Sequence, residues 1–244
     1  MIIADEIKFA KDQIDSPELI TALHKYGTVL VDSFYNVEVV TRLNSEFDQF
    51  LQNREPYIIK LDYSNGRAIK FLISELDSNL YPETYRTFKA SFMDELVRTY
   101  LGVDMKANIS VFAVNDVVGS KHHANDLHFD VQRSLKFFIY LTDTMVENGA
   151  FFCAPGSNAA AAALRKKYGS AISYENRELS RELPVNEEDV IPLEGKAGTL
   201  IIFDTDVFHR AGKVHRGERR VLRGQSSYVP IPGKKPSLLK RIFG

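Results

Sequence analysis

Tryptophan is absent from the sequence, cysteine occurs once, as Cys153, and no apolar run approaches the roughly 18 to 20 residues that span a bilayer. A lone cysteine forms no intrachain disulfide, so a disulfide-stapled scaffold is excluded and a reducing compartment, the cytoplasm, is expected. The opening MIIADEIKFAK is broken by Asp5, Glu6 and Lys8, which leaves no apolar stretch of the secretory-signal type. An excess of one charge is also missing: 31 Lys and Arg face 32 Asp and Glu, a formal net charge of −1. That balance argues against a nucleic-acid binder, whose affinity rests on neutralising phosphates. Nine prolines and 14 glycines are too few for a collagen-like or low-complexity chain.

What is present is an ordinary globular composition, 44% hydrophobic and 26% charged, in 244 residues. With no internal repeat and no Pro-, Gly- or Ser-rich linker, a single domain is expected. It divides into a helical part over about 1–102, a β core over about 103–230 and a basic tail at 231–244. Ser16-Pro17-Glu18 reads as an N-cap with proline in the first turn, opening a helix that Gly27 ends, and Thr28 to Asp32 follows as a short strand. Between Val37 and Leu51 the apolar residues Val39, Val40, Leu43, Phe47, Phe50 and Leu51 recur at three and four, one face of an amphipathic helix. A second long helix is expected from Pro82 to Leu101, with Tyr85, Phe88, Phe92, Leu96 and Tyr100 inward, stopped by Gly102.

Beyond Gly102 short β-like runs take over: Ala107 to Val114, Leu127 to Val131, Leu135 to Leu141, Gly149 to Ala154, Thr199 to Phe203, Val207 to His209 and Arg219 to Tyr228. That density suits a sandwich or barrel. Asn158 to Tyr168 reads as helix, and the polar stretch from Gly169 to Leu193 is long enough for a lid.

Chemistry concentrates first in Asp126-Leu127-His128-Phe129-Asp130. In a strand Asp126, His128 and Asp130 share a face, and a His and a carboxylate two apart bind one metal ion together. A third ligand must come from elsewhere, and His209, after the apolar run Thr199 to Phe203, is the best candidate. Two histidines and one carboxylate on one face of an octahedron, with the other positions open, is the arrangement of non-haem Fe(II) oxygenases.

The stretch HFDVQRSLKFFIYLTDTMVENGAFFCAPGSN, from His128 to Asn158, resembles the H-x-D, Y-L-T-D, E-N-G and P-G-S-H blocks of the phytanoyl-CoA dioxygenase family. GTLIIFDTDVFHRAGKVHRGERRVL, from Gly198 to Leu222, is similar to its second signature, and HKYGTVLVDSF, from His24 to Phe34, to its N-terminal opening. The resemblance implies a double-stranded β-helix (jelly-roll or cupin-like) core braced by N-terminal helices. It further implies an Fe(II)- and 2-oxoglutarate-dependent dioxygenase that hydroxylates a small-molecule metabolite, with iron on His128, Asp130 and His209. The family pattern sets Asp130 ahead of Asp126, and a carboxylate rather than a small residue there favours hydroxylation over halogenation. The chain departs from the pattern at Asn158 and Ala150, neither an expected ligand.

The cosubstrate's distal carboxylate needs a cation, and a guanidinium binds a carboxylate bidentately. Arg219 and Arg220, ten and eleven residues after His209, compete. The R-R-x-L alignment favours Arg219, the family's commonest spacing favours Arg220, and strand alternation admits only one to the barrel. If Arg219 points inward so does Arg223, which then meets an anionic part of the substrate. Lys121, His123 and Tyr140 are further candidate contacts, with Asn108 and Ser110 as alternatives, and His122 sits in the same loop as His123. His24 and His215 read as structural or exposed, and Phe112, Phe129, Phe138 and Phe152 as core. A rival reading is a β-helix protein that binds or isomerises a sugar or other metabolite without oxygen chemistry. Substrate choice would lie in loops near 57–80, 119–125 and 169–193.

Overall fold

The computed structural model describes residues 3–52, 58–102, 105–121, 123–168 and 185–230. Helix α1 (Ile3–Glu6) and strand β1 (Lys8–Phe9) lead into α2 (Pro17–Tyr26), whose first turn is held by Ser16 Oγ accepting from Leu19 N at 3.1 Å. Gly27 closes α2 in the left-handed region at φ 68°, and a Cβ there would stand 2.2 Å from Val207, so only glycine fits this turn into β2 (Thr28–Val31). Helix α3 (Val37–Gln52) buries Val40, Leu43, Phe47 and Phe50 as the periodicity requires.

Two expectations for this half fail. A hairpin, β3 (Ile59–Tyr63) and β4 (Gly66–Leu72), stands where no strand was expected. Its signal was local: Asn65 at φ 58° followed by Gly66, between the alternating Ile59, Leu61 and Tyr63 and the strand beyond. The long helix is also two helices, α4 (Pro82–Phe88) and α5 (Ser91–Leu101), parted at Ala90, which is extended. Phe88 and Met93, both buried, are five residues apart, which in a continuous helix puts them about 140° out of phase. The break restores both to the interior. Because α4 has no side-chain cap of its own, the buried Glu46 of α3 supplies one, accepting from Glu83 N and Thr84 N at 2.8 and 2.7 Å.

The β core holds β5 (Ser110–Val117), β6 (Leu135–Tyr140), β7 (Phe151–Cys153), helix α6 (Asn158–Tyr168), β8 (Ile191–Leu193), β9 (Leu200–Asp204), β10 (His209–Ala211) and β11 (Glu218–Gln225). The larger sheet runs β1-β2-β9-β6-β11-β5-β4-β3 and the smaller β10-β7-β8. Leu127 to Val131 is not a regular strand, because a single bridge, His128 to His209, replaces a ladder there. That bridge nevertheless adds the segment to the smaller sheet beside β10. Four strands of the larger sheet (β9, β6, β11, β5) thus face four of the smaller, the double-stranded β-helix.

The principal core lies between the larger sheet and the N-terminal helices and within the barrel, with Phe47, Phe50, Phe71, Phe137 and Phe203 fully buried. A second cluster gathers Ala154, Ala161, Val190 and Phe208 with Phe129 and Phe152, seating α6 against the smaller sheet. Residues 169–184 of the expected lid and the basic tail lie outside the described residues, while 185–193 contributes a 3-10 turn (Glu187–Asp189) and β8, a strand the polar composition hid. Among the described residues no helix is long and apolar enough to cross a membrane.

Candidate metal centre and its cavity

Pairing brings together the sequence-distant halves of the expected triad. His128 N donates to His209 O at 3.0 Å and His209 N to His128 O at 2.7 Å, which sets the rings side by side with centroids 4.5 Å apart. Asp130 N donates to Thr205 O at 3.0 Å, turning the carboxylate toward the same point. One ligand atom from each of His128, Asp130 and His209 lies within 4.8 Å of the others, the one such cluster of metal-binding side chains among the described residues. Asp126 is exposed and takes no part through its carboxylate.

The donors are in the right protonation state for a cation. Nδ1 of His128 lies 2.7 Å from Asp126 O, and Nδ1 of His209 2.7 Å from Val207 O. A carbonyl only accepts, so each Nδ1 carries the proton and each Nε2 presents a lone pair. Burial, followed by the neighbouring His128, holds His209 well below its ordinary pKa and keeps it neutral. Burial alone would raise the Asp130 carboxyl, but the adjacent Lys136 ammonium holds it below the usual carboxylate range. Two neutral imidazoles and one carboxylate form a site with the chemistry of a divalent transition metal.

The triad opens on a cavity of about 300 Å³, at the small end for small-molecule pockets. Register on β11 decides what enters it. Arg219, Val221, Arg223 and Gln225 face inward, opposite Asp116, Val114, Phe112 and Ser110 of β5. Arg219 is buried, its guanidinium donating to Asp116 Oδ2 and to Gly149 O, and Asp116 in turn accepts from Tyr63 of the hairpin. Arg223 stacks 4.0 Å over the Phe112 ring and 5.8 Å from that of Phe138.

Several candidates do not reach the cavity. Arg220 faces the opposite side of β11, pairing with Asp48 at 2.8 Å and Glu218 at 3.2 Å and lying over Phe47 of α3, away from the cavity. Tyr140 is buried with its hydroxyl spent, donating to Leu193 O at 2.8 Å and accepting from Phe151 N at 2.9 Å. Lys121 is exposed and outside the lining, where its neighbours Ser120 and Ala124 stand. Asn108 is structural, donating to Phe88 O at 3.2 Å, and Ser110, though buried, is absent from the lining. His123 opens a 3-10 turn (His123–Asn125), its side chain outside the described residues, as is the whole of His122. Phe112, expected in the core, lines the cavity instead; Phe138 lines it and also packs against the core, and Phe129 and Phe152 pack in the second cluster.

Three contributors went unforeseen. Lys136, buried on β6, donates to Asp130 Oδ2 at 2.5 Å, and its signal was a lone lysine at an inward position of the apolar run LKFFIY. Asp116 was missed because β5 extends past Val114. Arg165 of α6 donates to the backbone carbonyls of Asp130 and Val131 and to Asp206 Oδ1, so this helix braces the loop that carries Asp130.

A β-helix with two imidazoles and one carboxylate facing a cation-bearing cavity has the architecture of non-haem iron oxygenases. The chain belongs to the phytanoyl-CoA dioxygenase (PhyH) family, whose sequence model matches residues 23–221. No curated protein sequence matches it significantly. Among solved structures it is similar to the non-heme alpha ketoglutarate dependent carbocyclase SnoK from nogalamycin biosynthesis, at TM-score 0.63 and 16% identity over 93% of this chain and 90% of that one. EctD from S. alaskensis with bound Fe superposes at TM-score 0.60 and 15% identity over 92% and 83% of the two chains. The epimerase SnoN in complex with Fe3+, alpha ketoglutarate and nogalamycin RO does so at 0.58 and 14% over 93% and 91%.

Proposed function

We propose that this protein is an Fe(II)- and 2-oxoglutarate-dependent dioxygenase that hydroxylates an unactivated C–H bond of a small-molecule metabolite. The observation that carries this reading is the convergence of His128 Nε2, His209 Nε2 and Asp130 Oδ1 on one point at the wall of a cavity that also holds a buried arginine. Iron held there would supply the activation of dioxygen, coupled to conversion of 2-oxoglutarate into succinate and carbon dioxide.

Around it the side chains have separable tasks. His128, Asp130 and His209 hold the metal, with the Nδ1–H to carbonyl bonds fixing both imidazoles. Arg219 receives the distal carboxylate of 2-oxoglutarate: it lines the cavity, and its buried Nε has no hydrogen-bond partner among the described residues, while its other two nitrogens donate to Gly149 O and Asp116. The apolar wall of Ala68, Phe112, Val114, Phe138 and Val221 excludes water from the reacting bond, and Arg223 takes an anionic group of the substrate. Iron and 2-oxoglutarate are implied by the family; SnoN is seen with Fe3+ and alpha ketoglutarate, and EctD with bound Fe.

SnoK and SnoN are described as a carbocyclase and an epimerase, so the outcome of the reaction is read from its product. With Fe(II), 2-oxoglutarate, oxygen and a metabolite extract, the wild type is expected to release succinate, and His209→Ala to release none. A metabolite heavier by one oxygen atom supports hydroxylation. One lighter by two hydrogens, or of unchanged mass, replaces it with desaturation or isomerisation.

A further inference from the structure

Asp130 presents its two oxygens to different partners. Oδ1 lies 3.8 Å from Nε2 of His128 and 3.8 Å from Nε2 of His209, facing the point where the imidazoles converge. Oδ2 is turned away and accepts from Lys136 Nζ at 2.5 Å. Both partners are walled in, Lys136 at 5% exposure and Asp130 at 5%. Lys136 sits on β6 opposite Gln225, with its Nζ 5.8 Å from the centroid of the Phe203 ring. An ammonium and a carboxylate removed from water do not readily separate, because each would be left buried without its counter-charge.

A carboxylate binds a metal through one oxygen or through both. The choice matters because two imidazoles and one oxygen leave about three of six positions open, and a second oxygen leaves about two. The proposed reaction needs all three, two for 2-oxoglutarate and one for dioxygen. A carboxylate released from Lys136 can turn its second oxygen to the metal.

We infer that Lys136 is a positioning residue that restricts Asp130 to a single metal-binding oxygen and so keeps the third coordination position open. This rests on the reading of His128, Asp130 and His209 as a metal centre. It follows that Lys136 acts through a hydrogen bond, so a neutral donor of similar reach should replace it while an apolar side chain of similar length should not.

The test uses Mn(II) as the probe, without 2-oxoglutarate, so that any direct contact between Lys136 and the cosubstrate is excluded. Bound waters are counted by water-proton relaxation, and the Mn(II)-loaded proteins are crystallised. The wild type and Lys136→Gln are expected to keep about three waters with Asp130 bound through one oxygen, and Lys136→Met to keep about two with both oxygens bound. A wild-type water count in Lys136→Met with one-oxygen Asp130 overturns the inference. So does two-oxygen binding in the Mn(II)-loaded wild type, a result that stands even if the methionine variant does not fold. Neither of these touches the metal centre itself. Failure of the wild type to bind Mn(II), or undiminished binding by His209→Ala, overturns the metal-centre reading and this inference with it.

Discussion

Asp130 and Asp204 are both buried carboxylates beside cations, and they differ in what is left over. Asp204, at 0% exposure, is saturated: Oδ2 accepts from Tyr100 at 2.8 Å and from Arg133 Nε and Nη2 at 2.8 and 2.6 Å, and Oδ1 accepts from Asp206 N at 2.9 Å. Asp130 has one oxygen on Lys136, while the other faces two imidazole nitrogens that are themselves acceptors. Acceptors converging on one another without a proton between them are costly unless a cation joins them. Burial and charge are therefore common to a structural cluster and a candidate site, and the convergence of two imidazoles on one carboxylate oxygen tells them apart. Arg165 links the two, bonded to Asp206 on one side and to the carbonyl of Asp130 on the other.

The largest effect expected from this contrast is on stability. Asp204→Asn places an amide N–H against donors from three directions and removes the charge that Arg133 needs, so it should cost about 3–5 kcal/mol in chemical denaturation. Asp130→Asn offers its oxygen to Lys136 and its N–H groups to the two Nε2 lone pairs. It also leaves the buried Lys136 ammonium without its counter-charge, so it too should destabilise the metal-free protein, by about 3 kcal/mol, and in addition lose metal binding. Metal binding retained by folded Asp130→Asn, or lost by folded Asp204→Asn, would erase the distinction between them.

Next comes pH. Burial, and then the Asp204 charge, pushes the Asp206 carboxyl up to about 6 against an ordinary 3.8. The folded state then holds this proton more tightly than the unfolded state, so Asp206 lowers stability as pH climbs from about 4 to about 6 and adds no further dependence above that. The stability difference between wild type and Asp206→Asn is expected to move by up to about 3 kcal/mol across that window, in the direction that favours the variant at higher pH. A flat difference would show that Arg165 and Arg133 fully offset the burial.

A smaller effect separates two adjacent arginines. Arg219→Lys keeps the charge and loses the planar fork, so 2-oxoglutarate affinity should fall about tenfold, near 1.4 kcal/mol, by calorimetric titration of the metal-loaded protein. Arg220→Lys, on the outer face against Asp48, should leave that affinity within about twofold. The reverse result would move the cosubstrate site to the other side of β11.

How legible each part was follows from the range of the forces involved. His128, Asp130 and His209 were readable chiefly through the family resemblance of the blocks around them, since the H-x-D spacing alone is common and His209 lies far along the chain, whereas the Ser16 to Gly27 helix with its two caps is a local pattern. Alternation on β11 let only one of Arg219 and Arg220 inside, but which one depended on the register with β5, a contact between residues over 100 positions apart. The same long-range pairing hid Asp116 and Lys136. Helices α4 and α5 looked continuous because each half is a good helix, and only the demand that Phe88 and Met93 both face inward breaks them. The hairpin at Asn65-Gly66 was a local signal passed over, and its Tyr63 reaches the cavity.

The central claim is that His128, Asp130 and His209 form one metal centre that works with 2-oxoglutarate. Anaerobic calorimetric titration with Fe(II), followed by 2-oxoglutarate, addresses it directly in the wild type, Asp130→Asn and His209→Ala. One Fe(II) per wild-type chain, loss of binding in both variants and 2-oxoglutarate uptake only after iron are expected. Iron binding undiminished in either variant, or 2-oxoglutarate binding indifferent to iron, would contradict it.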